Sequence, residues 1–208
     1  MERRDHYAIT AARVRQLFSE FDQQALARKV GAKLDEKFFY VNFLSEPYRI
    51  QRITGDISRF HGDAWMEANS FGEVLTLMDL VCDSREDRRI AGSWKNMHDF
   101  GHGFHQNRLE QRDPWAERFQ EHPEAFAMAC ERLGGEKYPL GDVAYSIPVF
   151  DDLRLLIQLW FGDEEFPAQL RYLWDENALQ YLKYETMFYA VGVILKRIAE
   201  RMEGKFVN

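Results

Sequence analysis

From Asp142 the apolar residues of this chain recur at every second position, through "DVAYSIPVF" and "LRLLIQLW", with Asp151-Asp152 between the two runs. A period of two sends alternate side chains to opposite faces of a strand, so the pair reads as a β-hairpin closed at the aspartates. "QLRYLW" is expected to add another strand, and Asp175 to cap the helical turn "ENALQYL" next to it. The period then lengthens: Met187, Ala190, Val191, Ile194, Leu195 and Ile198 line one face of a helix over 185–202. A chain that changes period in this way cannot be all-helical or all-strand.

The first half repeats the contrast. Val14, Leu17, Phe18, Phe21 and Ala25 recur at helical spacing across 7–28, and Gly31 supplies a stop. "KFFYVNF", "YRIQRI" and "ISRF" have strand composition, with "SEP" and "TGD" as the turns of a meander. Ser70 and Glu73 form a capping box that opens a helix over 70–83. Asp113-Pro114 and Pro123 open two more, the second ending at Gly134-Gly135. The fold class is therefore α+β. We expect one domain over 1–208, with a mainly antiparallel sheet built from the 37–60 and 142–174 strands and flanked by helices. A chain of 208 residues, 46% hydrophobic, suffices for one such core.

Charge and composition narrow the function. A net charge of −7 argues against nucleic acid and anionic membrane as partners, because phosphate binding needs clustered Lys and Arg. The start "MERRDHYAIT" lacks the apolar core of a signal peptide, and no stretch approaches the roughly 18 apolar residues of a membrane span. A cytoplasmic protein is expected, with Cys82 and Cys130 as free thiols.

"GGEKYPLGDVAYSIPVF" and the later Trp160-Phe161-Gly162-Asp163-Glu164-Glu165-Phe166-Pro167 and Leu173-Trp174-Asp175 resemble a bacterial family, domain of unknown function 3786. The likeness runs across most of the chain. It implies a setting in anaerobes, near iron–sulfur proteins and corrinoid, tetrapyrrole or one-carbon metabolism, and it brings no established catalytic residues. This chain lacks the Cys-rich segment that some members carry, so an iron–sulfur or corrinoid protein is implied as a partner rather than a cluster of its own.

"HDFGHGFHQN" holds three of the six histidines. On a helix His98, His102 and His105 would share one face, but Gly101 and Gly103 cost a helix about 2 kcal/mol relative to alanine, which favours a loop. Three readings are open. His102 or His105, with Phe104 and Trp94, would hold a planar cofactor such as haem or a corrinoid, one imidazole serving as axial ligand. Alternatively His98, His102 and His105 would ligate Zn²⁺ or Fe²⁺ and activate a water, with Asp99 or Glu165 as proton acceptor. The third reading is an interaction protein with no ligand. Asp163-Glu164-Glu165 is expected to cap a turn rather than bind a cation, with Phe166 plugging the core. No GxGxxG, Walker, GxSxG or HExxH motif is present, so a binding or accessory role leads over an enzyme.

Overall fold

A computed structural model of the protein describes residues 2–101 and 114–204, with side chains from His6 onward. In order the elements are α1 (Glu2–Phe18), α2 (Gln23–Val30), β1 (Lys33–Leu34), β2 (Phe38–Phe43), β3 (Glu46–Gln51), β4 (Ile57–His61), β5 (Ala64–Glu67) and α3 (Phe71–Met78). Then come β6 (Trp94–Asn96), α4 (Pro114–Glu121), α5 (Pro123–Arg132), β7 (Glu136–Lys137), β8 (Val143–Phe150), β9 (Leu153–Trp160), β10 (Gln169–Asp175) and α6 (Tyr184–Met202). The class is α+β, as the two periods predict. The strands form two five-stranded antiparallel sheets, β1-β2-β3-β4-β5 and β6-β10-β9-β8-β7, and not the one sheet expected.

The chain divides into two compact units, the first taking residues up to Arg88 with Leu179–Val193, the second Arg89–Ala178 with the segment from Ile194. In the first unit the sheet buries Phe39, Phe43, Tyr48, Ile50 and Ile57 on one face, with Phe18 of α1 edge-on to Phe39 at 5.6 Å. The helix expected over 7–28 breaks at 19–22, where the Asp22 side chain caps α2 by accepting from the Ala25 N–H at 3.0 Å. The first hairpin turns at Leu44-Ser45, both at positive φ, so Glu46 and Pro47 already belong to β3 rather than to a turn. Ser70 caps α3 as expected; its hydroxyl donates to Glu73 at 2.6 Å, and the Tyr48 hydroxyl reaches the same carboxylate at 3.4 Å. The helix then widens into a π-helical turn over Asp79–Asp83.

In the second unit β8 and β9 are buried on both faces over most of their length, as their nearly continuous apolar runs require, whereas β10 alternates, with Gln169 and Arg171 exposed. One face packs on α5, where the Tyr145 hydroxyl donates to Glu131 at 2.9 Å. Among the described residues no helix is long and apolar enough to cross a membrane.

Candidate functional site

The second sheet's other face is where polar and aromatic groups gather. Strand register places Ala144, Gln158 and Arg171 in one cross-strand row, and Ser146, Leu156, Leu173 and Asn96 in the next. Trp94 lies on the edge strand β6, and Tyr138 comes directly after the opposite edge strand β7, its N–H donating to the Ala144 carbonyl at 2.9 Å. Edge strands of a flat five-stranded sheet stand about 19 Å apart. The two rings nonetheless meet edge-to-face at 6.0 Å, so side-chain reach and sheet curvature together close that gap.

On the same face Ala144, Ser146, Leu156 and Gln158 are each at most 5% exposed. Ser146 is satisfied: its hydroxyl and carbonyl accept from Arg154 at 2.8 and 2.7 Å. Gln158 supplies the side-chain amide of this row, and neither of its polar atoms is among the buried ones left without a partner. Beside this row Arg171 lies over the Trp160 ring at 5.5 Å, both residues solvent-exposed.

Of the residues singled out from sequence, Trp94 stands in this site, half-buried. His98 lies in a short 3₁₀ helix, Met97–Phe100, whose cap is the Asn96 side chain accepting from the His98 N–H at 3.0 Å; Asp99 is exposed. His102, Phe104 and His105 lie outside the described residues. Among the described residues no group of three or more His, Cys, Asp or Glu side chains is placed to hold a metal ion. The other aromatic residues of this half are divided. Trp115 packs on Phe119 at 5.8 Å, and Phe119 stacks on Phe126 at 4.8 Å, in the α4–α5 core. Trp174 and Tyr172 point to the helix-covered face, while Trp94 and Trp160 share the face with Gln158. Sequence reasoning missed Tyr138 and Gln158. The signal for Gln158 was its place as the uncharged polar residue in "LRLLIQLW".

The acidic run is a turn. The Asp163 carboxylate accepts from the Glu165 and Phe166 N–H groups at 2.9 and 2.8 Å, which holds it below the usual carboxylate range. Asp142 accepts from the Phe161 N–H at 2.7 Å and Gln120 from the Gly162 N–H at 2.9 Å. Phe166 is 63% exposed and does not plug the core as expected. Asp175 does more than cap the next helical turn. Its buried carboxylate accepts from Asn177 N–H at 2.8 Å and from Ala91 and Gly92 N–H, each also at 2.8 Å, and so fixes the approach to β6 and Trp94.

The family model of a domain of unknown function, DUF3786, matches residues 22–197. No curated protein and no solved structure matches the chain.

Proposed function

The chain belongs to the DUF3786 family, and on that premise we propose that it is a cofactor-binding or accessory protein that holds a flat conjugated ligand against the Trp94–Tyr138 face of its second sheet. The observation that carries this reading is the Trp94–Tyr138 ring pair, both rings half-buried, on the sheet face that also carries Gln158 and Arg171. Rings of Trp and Tyr offer large, rigid, amphipathic contact area, and a polar side chain on the same face gives orientation. Arg171 stands at the rim, where a ligand's carboxylate would meet a guanidinium. A tetrapyrrole or corrinoid has these features: a planar conjugated body, polar ring nitrogens and peripheral carboxyl or amide groups. The anaerobic setting implied by the sequence resemblance favours the same class, and a cytoplasmic location agrees with it.

Visible absorption titrations of the purified chain with haem and with cobalamin test the reading. A saturable spectral change is expected with one of them. Trp94→Ala should weaken it about tenfold, the 1.4 kcal/mol that an aromatic contact is worth. Flat titrations with both would remove the proposal. The alternative, a zinc or iron enzyme using His98, His102 and His105, predicts bound metal in untagged protein without absorbance from a macrocycle. It further predicts metal loss in at least two of the three single His→Ala variants, whereas axial ligation predicts sensitivity at His102 or His105 alone.

A further inference from the structure

The outer face of the first sheet carries a cation that the Trp94–Tyr138 site does not use. Arg49 on β3 sits between two rings, its guanidinium carbon 4.1 Å from the Phe38 centroid and 4.4 Å from that of Trp65. Phe60 meets Trp65 edge-on at 5.3 Å and Tyr40 lies 6.2 Å from it, so two rings flank the guanidinium and two more pack on one of them. Stacking of this kind fixes the plane of the fork and leaves its N–H groups pointing along that plane. Those donors are idle: among the described residues no carboxylate or carbonyl accepts from Arg49, and its Nε is buried without a partner. The nearby acids are occupied. Asp35 accepts from the Tyr40 hydroxyl at 2.8 Å and from two backbone N–H groups, and Glu67, across Ser58, accepts from Asn69 at 3.0 Å.

We propose that Arg49, held between Phe38 and Trp65 with Phe60 packed on Trp65, is a binding site for an oxyanion carried on a flat ring, that is, an aromatic carboxylate or a ring-bearing phosphate ester. A held guanidinium fork matches two oxygens of either group, with little side-chain entropy left to lose. Phe60, 36% exposed, offers the ring its apolar surface. The site lies within the first unit and is independent of the cofactor reading.

The test is an NMR titration of the full-length ¹⁵N-labelled chain, following the Arg49 Nε–H and the Trp65 indole N–H. Benzoate and phenyl phosphate are the probes, and benzyl alcohol is the uncharged control with the same ring. Saturable shifts of both resonances are expected with at least one anion, and the tighter of the two identifies the oxyanion. Arg49→Lys keeps the charge and removes the fork, so the Trp65 response should weaken at least about tenfold. Unchanged amide spectra away from the site show that the variant is folded; Arg49→Gln serves if it is not. The proposal is overturned if neither anion saturates, if benzyl alcohol gives the same shifts, or if the folded variant binds as the parent does.

Discussion

Cys82 shows how one residue's surroundings decide its chemistry. It lies on the π-helical turn Asp79–Asp83, where the Lys29 ammonium donates to the Cys82 and Ser84 carbonyls at 2.8 and 3.0 Å. Lys183 donates to Asp79 at 3.0 Å and also pairs with Asp83. An adjacent ammonium usually activates a thiol. Here burial dominates, assisted by the negative Asp83, and the thiol is pushed from 9.0 up to about 12. Cys82 is therefore an inert thiol. Burial likewise raises Tyr145, whose bond to Glu131 adds to the shift, from 10.0 to about 12. Both groups keep their protons longer in the folded chain than in the unfolded one. Below about pH 9 both states are protonated and this contribution is fully present; between about 9 and about 12 the unfolded chain ionises first, and stability falls. The thermal midpoint should drop through this alkaline window, and less steeply in Cys82→Ala. Equal slopes in parent and variant would count against the account.

Among the elements, the 160–167 turn is the one whose sequence is most completely explained by its contacts. Gly162 is required there for space: a Cβ would stand 2.5 Å from the Ala168 nitrogen and 2.9 Å from the Phe166 carbonyl oxygen. Those atoms are backbone and cannot swing away. Gly162→Ala should therefore cost about 1–3 kcal/mol, the range for overpacking, measured by denaturant unfolding. A change within about 0.5 kcal/mol, typical of neutral surface substitutions, would contradict it. The carboxylates of this stretch were legible as turn formers, because Asp side chains accept from backbone N–H groups two and three residues on. The exposure of Phe166 was not legible, since composition cannot say which aromatic in a turn faces the solvent.

At the scale of the molecule, each unit draws on distant parts of the chain. The first takes Leu179–Val193 in addition to the N-terminal residues, and the second takes the segment from Ile194 in addition to Arg89–Ala178. A cut after Gly135 would remove β7 to β10 from the second sheet and the α6 residues from the first unit. We expect that neither fragment 1–135 nor fragment 136–208 folds, as the single domain proposed for 1–208 requires. Cooperative thermal unfolding of both fragments by circular dichroism would refute that expectation.

Local pattern sufficed wherever an element's own residues specify it. The hairpin at Asp151-Asp152, the capping box at Ser70 and Glu73, the stop at Gly31 and the long final helix all come from period and turn chemistry acting within a few residues. The α+β class comes from the same signals. The number of sheets did not, because strand periodicity states that a strand has two faces and not which strands it joins. Short edge strands escaped for a related reason: β6 has three residues and β7 two, too few to show a period. They matter because Trp94 and Tyr138 meet only after five strands have been ordered as β6-β10-β9-β8-β7, bringing together residues 44 positions apart. Arg49 is the parallel case on the first sheet. Its neighbours Phe38 and Trp65 come from β2 and β5, and only pairing between strands turns a half-buried arginine into a held cation.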